Sequence, residues 1–524
     1  MRVVRAAISK RSAAAEADGG RTPVVVRLLV LATFVVILNE TIMINAIPRL
    51  MESMHVTERS AQWVSTAFML TMAAVIPVTG WFLQRVTTRR AYALAMGTFL
   101  AGTLLSAVAP AFAVLLAGRI VQAAGTAVMM PLLMTTLMTV VPAEHRGKVM
   151  GQVTLAMSVA PALGPTVSGV ILQVGSWRLL FVAVLPIAAA VTVFGLRRLE
   201  DVGEREVSSI DWFSVGVAAL GFGGLVYGLS LIGESDRRTL GIGMAAGGIA
   251  AIAVFAFRQL KLQRFGTPLM DLRTLRYGAF TRSLAVMAIG FLAMMGSMIL
   301  LPLYLQNVRG LSPLETGLLV MPGGLGMGLL GPSVGRAFDR FGSRRLVLPG
   351  SAGVMVALAG YTQISMTMPY WQILGLHVLL MVSLAATFTP VFTLGMGALP
   401  PHLYSHGSSI LGTLQQVAAA LGTALVVTLM SARATGLVDH GVAALPAQVS
   451  GMKLAFGAAA VLAALMTALA ATLPRRIEAP ADDHGAPADG HGSPRGGHGA
   501  PEDAGVPAGA GGEAEAAVAE RVGV

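Results

Sequence analysis

Cysteine is absent from all 524 residues. That excludes disulfides, thiolate metal sites and cysteine nucleophiles. Charge is scarce as well. Asp, Glu, Lys and Arg supply 12% of the chain, about half the share of a typical soluble protein. Lysine occurs four times, never before Ser or Thr after a glycine, so no phosphate loop for direct ATP hydrolysis is present. Outside the apolar runs no segment is long and apolar enough for a folded soluble domain, which argues against a membrane sensor or scaffold. No nucleophile–base or paired-carboxylate arrangement supports an enzyme.

What the chain does have is apolar residues, 55% of the total, with a mean hydropathy of +0.72. They fall in runs of roughly 20 residues, long enough to span a bilayer. A helix apolar on all sides sits in lipid or is fully enclosed, and this sequence has no polar shell to enclose so many. We therefore expect an all-α integral membrane protein with fourteen transmembrane helices. The spans fall near 25–48, 61–84, 91–109, 112–141, 148–172, 178–196, 212–233, 240–257, 280–305, 314–335, 346–366, 371–395, 407–430 and 452–473. The first run, Val25–Pro48, is too long for a cleaved signal core, so it reads as an uncleaved span.

The net charge of +11 does not point to nucleic acid, because Lys and Arg sit in short connections without an aromatic-interleaved basic stripe. They favour one side. The N-terminal tail and the even-numbered loops carry Arg85, Arg89, Arg90, Arg146, Lys148, Arg197, Arg198, Arg258, Lys261, Arg264, Arg273, Arg276, Arg336, Arg340, Arg344 and Arg345, whereas the opposite side has few. The positive-inside bias then places both termini in the cytoplasm of a multi-pass cell-membrane protein. Beyond Arg475 the composition turns to Ala, Gly, Pro, Asp and Glu, a disordered tail by composition. His484, His491 and His498 recur there, which reads as a repetitive linker or as weak metal capture.

Residues 77–90, PVTGWFLQRVTTRR, repeat at 332–345 as PSVGRAFDRFGSRR. Pro77, Gly80, Arg85, Arg89 and Arg90 match Pro332, Gly335, Arg340, Arg344 and Arg345 without a gap. Both copies end a span and enter a loop on the same side, which implies parallel halves. The copies stand eight spans apart, so two extra helices separate two six-helix bundles. The expected organisation is a cytoplasmic tail (1–24), an N-terminal bundle (25–200), a linker with the two extra helices (201–278), a C-terminal bundle (279–474) and a disordered cytoplasmic tail (475–524).

Four segments resemble the major facilitator superfamily, specifically its fourteen-span drug:proton antiporters of the multidrug and lincomycin-resistance type. They are LNETIMINAIP (Leu38–Pro48) in span 1, GWFLQRVTTRR after span 2, GRIVQAAGTA (Gly118–Ala127) in span 4 and PALGPTVSG (Pro161–Gly169) in span 5. The resemblance implies two bundles working by alternating access, driven by protons, without a cofactor and as a monomer. It assigns Pro161, Gly164, Pro165 and Gly169 to an antiporter motif. It assigns Gly80, Arg85, Arg89 and Arg90, with Gly335, Asp339, Arg340 and Arg344, to a cytoplasmic gate. The chain departs from the family pattern where Asn39 holds the usual span 1 acid position, with Glu40 next to it. It departs again where Gln84 and Thr87 replace an acid and a glycine that the second copy keeps as Asp339 and Gly342. The second copy is therefore the better gate candidate.

Two charged residues lie well inside spans, Glu40 and Arg119. An ionised side chain in the bilayer costs about 2.5–3.5 kcal/mol on insertion scales, so both are expected to face the bundle interior. A dry site favours the neutral acid and a nearby guanidinium favours the carboxylate, so alternation between the two would load and release a proton. A static ion pair between spans 1 and 4 is the structural alternative. Asn39, Asn45, Gln122 and Met129 are candidate substrate-cavity residues, although amides also bond neighbouring helices and methionines also fill cores. His377 in span 12 is a second-half candidate for proton transfer, or a packing residue. The expected function is proton-coupled export of hydrophobic small molecules or antibiotics. Uptake of a small metabolite by a symporter or facilitator is the alternative, and would call for a more polar cavity.

Overall fold

The computed structural model describes residues 22–43, 46–201, 210–232, 236–265 and 268–475. Residues 1–21, the Asn45 position, most of the 201–210 connection and the tail from 476, with its histidines, lie outside the described residues.

Every long element among the described residues is helical. Fourteen helices have 18 residues or more: α1 (Val24–Ile42), α2 (Glu58–Arg85), α3 (Thr88–Ala107), α4 (Phe112–Val140), α5 (Arg146–Val174), α6 (Arg178–Arg198), α7 (Trp212–Ile232), α8 (Arg238–Leu262), α9 (Gly278–Leu303), α10 (Pro313–Phe341), α11 (Arg344–Tyr361), α12 (Tyr370–Gly397), α13 (Tyr404–Asp439) and α14 (Ala444–Ala470). Twelve of them are long and apolar enough to cross a membrane. By that measure the expected count of fourteen spans is corrected to twelve. The two that fall short are α3 and α11, and each carries an arginine pair in its first turn, Arg89–Arg90 and Arg344–Arg345.

Local chemistry sets the boundaries. The Thr57 and Thr87 hydroxyls accept from the backbone of Ser60 and Arg90 at the starts of α2 and α3. Ser312 and Glu315 form a reciprocal capping box on α10, which satisfies orphan N–H groups there. The first span was expected to run to Pro48, but α1 ends at Ile42. Pro48 instead occupies the first turn of a short helix, Ile47–Met54, where its missing N–H costs nothing.

Helices α1–α6 pack among themselves, as do α9–α14, while α7 and α8 pack on each other and α7 touches both α2 and α13. The arginine-bearing ends gather at one end of this unit. There Arg282 donates to Thr472, Ser343 bonds Pro474 and Arg475, and the Arg89 N–H donates to Asp201. At the opposite end Trp177 Nε1 donates to Ser53, and Arg178 to the Ala109 carbonyl.

Candidate functional site

The site begins with two close helix crossings. Gly102 on α3 faces α4 so tightly that a Cβ would overlap the Gln122 amide, and one at Gly125 would overlap the Ala95 carbonyl. Only glycine permits that approach. It places Arg119 and Gln122, one turn apart on α4, against α3 and α2. Arg119 is 1% exposed. Its Nη1 donates to Gln122 Oε1 at 2.5 Å and its Nε to the Val64 carbonyl at 3.4 Å. Its guanidinium lies 4.2 Å from the centre of the Phe68 ring. Gln122 Nε2 donates onward to Thr103 Oγ1 at 2.7 Å. A buried guanidinium is tolerable when its donors find acceptors and its face is stacked; Gln122 and Val64 supply acceptors and Phe68 the stack.

Glu40 is half-buried on α1 and is the electrostatic neighbour of Arg119. The directed bonds of Arg119 go to Gln122 and Val64, so its charge reaches Glu40 through space. Next to Glu40, the Thr41 hydroxyl lies against α5, 3.4 Å from the Ala160 carbonyl, and a Cβ added at Gly164 would collide with it. Asn39 is 0% exposed and neither of its amide atoms has a partner. Met129 is in the core. The structure thus joins Arg119 to Gln122, leaves Glu40 within electrostatic reach of Arg119, and keeps Met129 and Asn39 out of open space.

Below Glu40 the two sets of helices touch. On α10, Gly335 and Gly331 press on Gly147 and Gly151 of α5, where any Cβ would overlap backbone. Higher up, Cβ atoms at Gly328 and Gly324 would meet Val159 and Ala162 at 2.8 Å. Thr154 on α5 and Thr389 on α12 share a 2.8 Å hydrogen bond. On the other seam Ser409 Oγ of α13 donates to the Ile76 carbonyl of α2 at 2.7 Å, Ser408 bonds Thr135 of α4, and Gln84 Nε2 donates to the His402 carbonyl. Gly80 meets His406, whose Nδ1 would stand 2.9 Å from an added Cβ. The repeat glycines Gly80 and Gly335 therefore each sit at a seam. Past the level of Ala162, Gly169 on α5 and Gly317 on α10 have nothing within 4 Å of an added Cβ. Along this seam the α5–α10 contacts are therefore tight from Ala162 toward the arginine-rich end and open at Gly169 and Gly317.

The repeat motif differs between its copies. Asp339 accepts from Gly147 N at 2.9 Å and Lys148 N at 2.8 Å, capping the first turn of α5, a favourable place for a carboxylate. Gly342 adopts φ +78°. In the first copy Gln84 bonds a carbonyl instead, and Thr87 keeps φ −67° and caps α3. Arg85 lies over Trp81 at 4.5 Å and Arg340 over Phe341 at 5.2 Å. The Arg90 N–H bonds Thr87, and Arg344 opens α11. In the antiporter motif, α5 stays helical through Pro161 and Pro165. Gly164 faces α1, so the α10 contact belongs to Gly147, Gly151, Val159 and Ala162. His377 packs on Gly323 of α10 with its Nδ1 unpartnered. A surface groove of about 360 Å³ between α13 and α14 has no ionisable lining and lies far from these residues.

Residues 29–423 match the Major Facilitator Superfamily. The chain belongs to that superfamily. It is 37% identical over 469 residues to the uncharacterized MFS-type transporter YcnB of Bacillus subtilis (strain 168), covering 88% of this chain and 97% of the relative. It is also 37% identical over 423 residues to the lincomycin resistance protein LmrB of Listeria monocytogenes serovar 1/2a, covering 80% and 89%. The crystal structure of the human organic anion transporter MFSD10 (TETRAN) shares the fold, with a TM-score of 0.62, 16% identity, and coverage of 86% of this chain and all of that one. As a major facilitator the chain is a multi-pass membrane transporter. Sequence alone missed Val64, Phe68 and Thr103 around Arg119, though the small residues Gly102 and Gly118 on neighbouring spans mark the crossing that assembles them.

Proposed function

We propose that this transporter is a proton-coupled antiporter that exports hydrophobic small molecules or antibiotics by alternating access. One observation carries the reading. Glu40, whose neighbour Thr41 packs on α5 at Ala160 and Gly164, lies within electrostatic reach of the buried Arg119. A carboxylate placed there can exchange its proton toward the open part of the α5–α10 seam, while the glycine crossings close the other part. The positive-inside bias makes the arginine-rich end cytoplasmic, with both termini on that side, so the structure corresponds to an outward-facing state.

Asp339 on the α5 N-terminus and the paired crossings Gly335–Gly147 and Gly80–His406 form the cytoplasmic gate. Arg85, Arg89, Arg340 and Arg344 supply positive charge around it. Gly164 lets α1 sit close to α5, which couples the Glu40 helix to the gate helix. The lincomycin resistance name of similar proteins supports a drug as cargo. Asn39, Gln122 and Met129 are its nearest polar and soft contacts once the helices move. No cofactor is required: the membrane potential contributes about 2.3 kcal/mol per charge per 100 mV. Everted vesicles loaded with a pH-sensitive dye test the reading. Adding lincomycin or a panel of apolar compounds should dissipate an imposed proton gradient, and compound accumulation indifferent to pH would rule antiport out.

A further inference from the structure

The connection between α8 and α9 has no place in the gate described so far, yet it is docked there. Eight consecutive residues of α13, Tyr404–Leu411, are all buried, as is Leu403 before them. More than two turns of helix hidden on every side must be covered from every side. Ile76 and Gly80 of α2 cover one face, and Thr135 of α4 covers the next. Leu399 and Phe280 cover Gly407. His406, which faces Gly80 of α2, also has the Leu269 backbone and the Asp271 carboxylate as electrostatic neighbours, and Leu269, Met270, Asp271 and Thr274 of the segment 268–276 are buried.

That segment is held from behind by the extra helix pair. Gln259 of α8 is fully buried, and its Oε1 accepts from both Leu269 N at 2.8 Å and Met270 N at 3.3 Å. Its Nε2 donates to Ser214 of α7 at 2.9 Å. Ser214 donates to Asp211, which Arg258 chelates at 2.6 and 2.9 Å. At the front of the segment Asp271 is 2% exposed and chelated by Arg273. Burial works against its charge, but the Arg273 side-chain and backbone bonds override that and hold the carboxyl below its ordinary range.

We propose that this strap is a working part of the gate: Gln259 and Asp271 are positioning residues that brace His406 from outside, so that Gly80 of α2 closes against a fixed surface. The extra helix pair then serves as the anchor of the cytoplasmic seal. The inference rests on the alternating-access reading above, but it is tested without any substrate.

The chain is free of cysteine, so a single Ser409→Cys substitution gives one reporter thiol, buried in the closed seam where Ser409 bonds Ile76. Its alkylation by a maleimide in everted vesicles measures how often the seam opens. Gln259→Met keeps volume and removes the acceptor; Asp271→Asn keeps shape and removes the charge. Each should raise the alkylation rate at least about fivefold, the effect of a coupling near 1 kcal/mol. Rates within twofold of the parent in both variants, while Gly80→Ala raises the rate by wedging α2 from His406, would overturn the proposal. Absence of compound-driven proton flux in the parent would instead remove the antiport reading and leave the labelling result standing.

Discussion

Gly335 of α10 rests on the carbonyl oxygen of Gly147 of α5 with no room for a methyl group between them. The contact joins two helices that must separate if the arginine-rich end is to open. Backbone crowding costs about 1–3 kcal/mol, which shifts a two-state balance about 5- to 150-fold. Gly335→Ala is therefore expected to insert normally yet lose most export, with the arginine-rich end held open. Efflux rates, with alkylation at a position 409 thiol as the conformational readout, check this.

Asp339 is the polar counterpart of that contact. Its two charge-assisted bonds to the α5 N-terminus exist only while α5 and α10 meet. Bonds of this type contribute about 1.5–3 kcal/mol each when the carboxylate is ionised. Asp339→Asn should favour the state open at the arginine-rich end and slow export at least about tenfold. A variant with wild-type transport and wild-type labelling would remove Asp339 from the gate.

Asn39 is buried with both amide atoms unpartnered. An unsatisfied amide costs about 1–3 kcal/mol. Asn39→Leu should accordingly raise the thermal unfolding midpoint in detergent while lowering export, because the group gains partners only in another state or with cargo. Unchanged export in a stabilised variant would show that Asn39 has no part in transport.

The extra helix pair carries its own pH signature. Hydrogen bonding from Arg258 holds Asp211 down at about 2, below the unperturbed 3.8. A depressed carboxylate stabilises the fold fully above the unfolded value and loses that contribution as pH falls through the folded one. Asp211→Asn should therefore be less stable than wild type at neutral pH and down to about pH 4, and the gap should close toward pH 2. With Arg258 40% exposed, screening keeps the gap below about 1 kcal/mol. Thermal midpoints across that pH range measure it.

The helices were legible because lipid-length apolar runs announce themselves, and the repeat at 77–90 and 332–345 already placed two glycines that the structure puts at the seams. Gln122 was legible beside Arg119 from i, i+3 spacing. Val64, Phe68 and Thr103 were not, because they meet the Arg119–Gln122 pair from other helices. The break after Ile42 was hidden by hydrophobic residues that continue past it. In sequence the strap at 268–276 shows only as a basic connection with Arg273 and Arg276. Its meaning lies in Gln259 and His406, two residues whose partners are set by tertiary docking and not by local pattern. Gln84 and Thr87 looked like losses from a motif, but in place they bond His402 and cap α3.

The central claim concerns Glu40, and one paired measurement addresses it: proton flux and compound uptake followed together in everted vesicles bearing wild type or Glu40→Gln. Wild type should move protons only when a transported compound is added. Glu40→Gln should still bind the compound, while compound-driven proton flux falls to background. Proton flux equal to wild type in Glu40→Gln would contradict the account, because the carboxylate beside Arg119 would then not be carrying the proton.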